Sequence, residues 1–284
     1  MKKHHSRTRF ATPLLALALT AGAMAGVTES TTTAVTPAPE EEDFFSGVLN
    51  LDANSHFISY GLDVWADGSS LSNYGFNPSL ELAWKLPGGF TATLGTWWDV
   101  NAKPAGLAPG VAESPIGGKI QEIDVWVGLA YNVGDFTAKV TYQNWFYASE
   151  TEEVLDLALS YDTFLSPSLT IHQRLDEGGS GGNTGTIAVL GLSHSIEAGP
   201  VTFSFPFNVA YFFQDDFHPG STDKGFGYGS IAATASMPLS FISDAYGDWS
   251  IHGGLTYYVT SSDVVANARK NDFLTANVGI TVAF

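Results

Sequence analysis

Seven acidic residues, Asp63, Glu81, Asp99, Glu122, Asp124, Asp156 and Glu197, and three basic ones, Lys85, Lys139 and Arg174, have one feature in common. Each lies on the polar side of a segment whose alternate residues are apolar. Trp65, Trp97, Trp126, Trp145 and His172 fall on that same side. Side chains of an extended chain alternate between two faces, so these groups would converge on one surface while the apolar residues form the other. An excess of four carboxylates would make that surface attractive to cations, and aromatic rings among charges can line a path for polyols or sugars. The same groups could equally pair with one another and fill a narrow interior.

Other chemistry is poorly served. A hydrolase acting on membrane lipid needs Ser, His and a polar orienter on one strand face. His194 and Ser195 are adjacent and point to opposite faces, while His172 and Ser168 share a face but stand four residues apart, too far to hydrogen-bond in a strand. Asp215-Asp216-x-His218 offers only a loose Ca²⁺ possibility. Cysteine is absent, which removes disulfides and thiolate metal sites. No phosphate-cradling loop occurs. We expect no enzyme, metal or cofactor.

The elements that must carry these residues read as strands. Alternation marks twelve: 45–66, 76–86, 90–100, 120–133, 136–148, 152–162, 168–176, 186–197, 201–214, 225–238, 249–260 and a closing one from Asp272 to Phe284. The first would carry His56, Ile58, Tyr60, Leu62 and Val64 on its more apolar face, with a break near Asp52-Ala53-Asn54. The ninth has the strongest stripe, Val201, Phe203, Phe205, Phe207, Val209, Tyr211 and Phe213. Each is long enough to cross a bilayer at a tilt of about 45°, which takes about 9–11 residues. Connections after even-numbered strands are mostly short, as at Pro87-Gly88-Gly89 and Gly134-Asp135, and those after odd-numbered strands mostly long, with 149–151 and 239–248 as exceptions. A soluble sandwich has no reason to sort its loops by parity. The expected fold is an all-β transmembrane antiparallel up-and-down barrel of about twelve strands over 44–284.

Composition agrees. The chain has 284 residues, 14% charged, with 19 Phe, 11 Tyr and 7 Trp. Average domains carry about 25% charge. Lys2, Lys3, Arg7 and Arg9, the apolar stretch Phe10 to Ala23 and Ala23-Met24-Ala25 form a signal-peptide pattern over 1–25. Residues 26–43, rich in Thr, Pro and acid, read as a flexible linker. Without the first 25 residues, eight basic residues face 29 acidic ones, a net charge of −21 that argues against nucleic acid as a partner.

On the closing strand, Leu274, Ala276, Val278, Ile280, Val282 and Phe284 share one wholly apolar face. A strand ending in Phe resembles the terminal strand of outer-membrane barrels of Gram-negative bacteria, in which that ending is the assembly signal. The resemblance implies export to the outer membrane, with membrane lipid and the barrel-assembly machinery as partners and Phe284 as the signal. The layout also resembles the TorF-like putative porin family. His56-Phe57-Ile58-Ser59-Tyr60-Gly61, Glu122-Ile123-Asp124 with Gly128, and Gly134-Asp135-Phe136 carry that likeness. Together these readings lead us to expect a porin-like channel for passive diffusion of small solutes or ions, cation-preferring. Its pore would be lined by Asp63, Glu81, Lys85, Trp97, Asp99, Glu122, Asp124, Trp126, Lys139, Trp145, Asp156, His172, Arg174 and Glu197. A plugged structural or adhesive surface barrel, or a lipid hydrolase, are the alternatives.

Overall fold

The structure, a computed structural model, describes residues 44–65, 71, 74–101, 119–147, 150–176, 182–267 and 270–284. The expected signal peptide and linker lie outside the described residues. The alternating segments form β1 (Phe45–Asn54), β4 (Gly75–Leu86), β5 (Phe90–Val100), β6 (Ile120–Val133), β7 (Phe136–Tyr147), β8 (Glu150–Tyr161), β9 (Ser168–Arg174), β10 (Gly185–Ala198), β11 (Val201–Phe212), β12 (Gly225–Pro238), β13 (Asp248–Thr260) and β14 (Asp272–Ala283). Between β1 and β4 lie two short strands, β2 (Ile58–Ser59) and β3 (Leu62–Asp63).

The twelve long strands pair antiparallel with their sequence neighbours, and β1 pairs on its other side with β14, so the sheet closes. Closure leaves no edge strand, the condition for crossing a hydrocarbon layer where unpaired backbone groups find no water. The outward face is largely apolar, with Asn144, Glu153 and Gln173 as polar exceptions towards the outer end. Leu94 and Trp98 on β5, Val125, Val127, Leu129 and Val133 on β6, and Phe203, Phe205, Phe207 and Tyr211 on β11 are all exposed. Soluble monomers rarely expose a contiguous apolar patch larger than a few hundred Å². A band around a closed barrel is what lipid covers. Phe44, Phe164, Phe241 and Tyr246 stand exposed at the end where β1 begins and β14 finishes, as interfacial aromatics do.

Turns at that end are 87–89, 134–135, 162–167, 199–200 and 239–247, the last holding a 3-10 turn at Asp244–Tyr246. At the other end the connections are 55–74, 101–119, 148–149, 175–184, 213–224 and 261–271. The short-turn end is periplasmic by the usual asymmetry of these barrels. The parity expected from sequence therefore holds, and its exceptions are real: one outer connection has two residues and one inner connection nine.

Two elements differ from expectation: β9, expected over 168–176, has seven residues, fewer than the about 9–11 of a tilted crossing, and the first strand is shortened and redirected. The first strand does not run to residue 66; it stops at Asn54, and the following residues turn into the barrel. Ile58↔Asp63 and Ser59↔Leu62 pair around Tyr60-Gly61, both with positive φ, 46° and 82°. That is the two-residue hairpin turn whose twist suits antiparallel strands. His56, Ile58 and Tyr60 are consequently buried inside rather than turned to lipid.

The seam joining first and last strands depends on the final residue. Gly47 N–H donates to the Phe284 carbonyl at 2.7 Å, and Phe284 N–H donates back to Gly47 at 3.0 Å. The Phe284 ring lies where a side chain on residue 47 would be, so any larger residue there would displace the ring. Deleting Phe284 removes two ladder hydrogen bonds worth about 0.5–1.5 kcal/mol each, besides the ring contact. The deletion should lower the yield of heat-modifiable barrel in the outer membrane. Unchanged yield with unchanged gel mobility on boiling would contradict this.

Candidate functional site

The interior is built from the inward residue of every strand. Its periplasmic half is lined mainly by small residues; Thr91, Gly128, Thr170, Ser193, Thr202 and Thr234 are half-buried, whereas Thr93, Ala130, Lys139, Ser204 and Ser236 are buried. Its outer half is lined by bulky ones. Trp97, Trp126, Trp145, Tyr147, Phe212, Tyr228, Tyr258 and Phe273 are buried there. Gly95 makes one of these placements possible, because any Cβ on it would collide with the Trp126 indole.

Three outer connections fold into that outer half. From 55–74 come Phe57, Ile58, Tyr60 and Trp65, from 213–224 Phe217, and from 261–271 Val264 and Val265, all buried. Phe57 packs on Trp97 at 5.2 Å, and Tyr60 meets Trp145 at 5.8 Å, His172 at 5.0 Å and Phe217 at 5.4 Å. Polar clamps hold the hairpin. Asn267 donates to the Gly61 carbonyl at 3.0 Å and accepts from Asp63 N–H at 2.7 Å. His218 Nε2 lies 3.2 Å from the Tyr60 carbonyl, and Trp65 Nε1 donates to Asp99 at 3.0 Å. These contacts offset the cost of about 1–3 kcal/mol for holding a non-glycine residue such as Tyr60 in the left-handed region.

The candidate residues named from sequence are placed as follows. Glu81, Trp97, Asp99, Glu122, Asp124, Trp126, Lys139, Trp145, Asp156, His172 and Arg174 turn inward from barrel strands, and ten of these eleven are buried, Glu81 being half-buried. Asp63 is also inside, but on the hairpin rather than the wall. Lys85 and Glu197 sit exposed near the periplasmic rim. Sequence reasoning missed Asp52, Glu152 and His252, although Glu152 shares the strand parity of Asp156 and could have been found by it.

Most interior charges are paired. Lys139 meets Glu81 at 3.1 Å, Arg174 meets Glu152 at 2.6 Å, His172 meets Asp156 at 2.7 Å and His252 meets Asp52 at 2.5 Å. Trp126 Nε1 also donates to Glu81 at 2.7 Å, and Tyr147 donates to Glu152 at 2.6 Å. Asp99 accepts from Trp65, Asn77 and Asn101. Arg174 carries a structural load beyond its ion pair. It donates to the Phe217 carbonyl at 2.6 Å and to Asn183 at 3.1 Å, and its guanidinium lies 3.7 Å over the Phe217 ring.

Glu122 and Asp124 differ. Both are inward and buried, and Glu122 Oε1 and both Asp124 oxygens meet no protein donor apart from each other's carboxyl. Lys139, on the neighbouring strand, is already held by Glu81.

The sparse catalytic motifs do not assemble. His172 bonds Asp156 rather than Ser168, and His194 meets the Phe164 carbonyl at 2.8 Å. Asp216 bonds Asn183 while His218 turns inward, so the Asp-Asp-x-His stretch does not converge. Among the described residues, no group of three or more His, Asp or Glu is disposed to hold a metal ion.

A closed barrel of twelve strands with a lipid-facing apolar band and a polar interior defines a transmembrane protein of the outer-membrane β-barrel class. No known family and no curated protein matches the chain, so the likeness to the TorF-like putative porins rests on its short motifs alone. Solved structures do match. The COG4313 outer-membrane channel from Pseudomonas putida F1 is 11% identical, covering 87% of this chain and 100% of its own, with a TM-score of 0.50. The NanC porin is 13% identical over 82% of this chain and 98% of its own, with a TM-score of 0.47. At such identities the likeness shows the fold alone.

Two tests follow from this geometry. Arg174→Met leaves Glu152 buried without its partner, which costs about 3–5 kcal/mol. Unfolding in urea, followed by gel mobility, should shift to lower denaturant, and Arg174→Met with Glu152→Gln should recover part of the loss. His218, in the outer connection 213–224, is held neutral: burial, and then the Arg174 charge, lower its pKa from 6.5 to about 3. A lifted connection restores the ordinary value. Between those two values the seated form binds fewer protons, so its stability rises with pH and falls as pH drops through the window. Hydrogen exchange across 213–224, corrected for intrinsic rates, should quicken from about pH 7 to about pH 4. His218→Gln should abolish that dependence.

Proposed function

We propose that this barrel is an outer-membrane channel for passive diffusion of small solutes or ions, and that the inward hairpin closes its outer half in the conformation described here. The observation that carries the reading is the contrast between the two halves of the interior. Small side chains, several of them half-buried, line much of the periplasmic half, while the outer half is filled by bulky wall residues together with segments from three connections, the hairpin among them. A few polar clamps, at Asn267, His218 and Asp99, hold the hairpin, so its release would open space in the outer half without altering the wall. In this reading membrane lipid and the barrel-assembly machinery are the partners, and Phe284 is the assembly signal.

Cation preference belongs to the same proposal. Eight acidic residues, Asp52, Asp63, Glu81, Asp99, Glu122, Asp124, Glu152 and Asp156, stand inside against the fixed cations Lys139 and Arg174. Charges across a narrow, partly low-dielectric passage act more strongly than in bulk water. The dense packing of the outer half supports a second reading, a permanently plugged structural barrel. Planar-bilayer recording separates the two. Replacing residues 56–65 by a short Gly-Ser link should raise single-channel conductance several-fold over wild type. Reversal potentials in a salt gradient should report cation preference, weakened by Asp124→Asn. Absence of current in both proteins would favour the plugged barrel, and anion preference would contradict the acidic path.

A further inference from the structure

A buried carboxyl pair inside a closed barrel is costly to ionise unless it shares a proton or a cation comes to it. Asp124 is fully buried, at 0% exposure. It stands in cross-strand register with Trp97 on β5 and Trp145 on β7. Residues directly opposite in such pairs have Cβ atoms about 4.5–5.5 Å apart. Trp126 and Glu122 are the next inward residues along β6 on either side. Three indoles therefore surround two carboxyls.

The indoles do not serve as donors to that pair. Trp126 Nε1 is committed to Glu81 and Trp145 Nε1 to Gln143 at 3.3 Å. What they contribute is ring surface. Rings of high π density around an anionic centre favour one kind of guest, an organic cation with an apolar body, which gains from the quadrupole of each ring and from the carboxylates at once. A metal ion is not served, because no three liganding groups converge among the described residues. A neutral sugar would leave the carboxyls uncompensated.

We propose that Asp124 and Glu122, with Trp97, Trp126 and Trp145, form a binding site for small organic ammonium ions. The hairpin at residues 57–65 is its internal stopper. Phe57 and Trp65 pack in one cluster with Trp97 and Trp126, and Tyr60 packs on Trp145. Aromatic residues of the chain itself thus occupy the seat, and a cation takes their place when the hairpin lifts. This names a solute class for the channel proposed above and rests on that reading for its physiological meaning.

The test is binding, measured without reference to conductance. Choline, and its neutral isostere 3,3-dimethyl-1-butanol, are titrated into the purified full-length barrel in detergent, with intrinsic tryptophan fluorescence and calorimetry as readouts. The protein with residues 56–65 replaced by a Gly-Ser link should bind choline at least tenfold more tightly than wild type. It should prefer choline to the isostere at least tenfold. Asp124→Asn in that background should lose at least tenfold in choline affinity, and Trp97→Leu should weaken it as well. Heat-modifiability verifies that each variant is folded; if Asp124→Asn fails that check, Glu122→Gln and Trp97→Leu carry the test. Equal affinity for choline and the isostere, absence of choline binding by the linked protein, or affinity unmoved in the folded variants would overturn the proposal. Choline binding without conductance would overturn the channel reading and leave this site standing; conductance without choline binding would do the reverse.

Discussion

Everything in this protein depends on the demand that backbone N–H and C=O groups within a hydrocarbon layer be paired inside the protein. The demand is met by closing the sheet, and closure requires that β1 and β14, more than two hundred residues apart, meet in register. Val48↔Ala283 through Asn54↔Asn277 provide that register, and the Gly47–Phe284 pair extends it to the last residue. A terminal aromatic and a glycine opposite it thus do locally what the whole fold needs globally. Once the ladder is closed, alternation divides every strand between lipid and interior with no further choice.

Closure then poses a filling problem. Barrel diameter grows with strand number, and about eight strands already enclose only what side chains can fill. With twelve strands, wall residues alone leave space, and this chain treats its two ends differently. Small hydroxyl residues and glycines predominate in the periplasmic half, where several inward side chains are only half-buried. At the outer half, bulky wall residues meet segments folded in from three connections. Tyr60 is the centre of that packing, since it touches a wall tryptophan, a wall histidine and the Phe217–His218 connection at once.

Charge inside such a space must be neutralised or hydrogen-bonded. Two ion pairs, two carboxylate–histidine contacts and the donors around Asp99 do this for most of the interior. The arrangement is economical, because several charges also hold the inward segments: Arg174 captures the Phe217 carbonyl and Asp99 captures the Trp65 indole. Glu122 and Asp124 stand outside this pattern. Glu122 Oε1 and both Asp124 oxygens are buried beside aromatic residues without a protein donor.

Much of this was legible in the sequence, and the physical reason marks the boundary of what was not. Period-2 alternation over nine or more residues records a one-sided environment, so strand number, the lipid face, the inward direction of Glu81, Asp99, Asp124, Lys139 and Arg174, and the sorting of loops could all be read locally. Partnership could not. Asp52 meets His252, and Asp63 meets Asn267, across about two hundred residues that only closure brings together. The clearest divergence is at His56 to Val64, which alternates as a membrane strand does, yet folds back as a hairpin. Alternation is equally satisfied by a strand against lipid and by a hairpin against an aromatic interior. Tyr60-Gly61 also lacks the Asn-Gly signature that announces such turns. The sequence by itself determined that these residues would be extended and half-apolar. Only the tertiary structure decided which surface they would meet, because that depended on the space a twelve-stranded wall left empty and on partners at Trp145, His218 and Asn267 that no local pattern could supply.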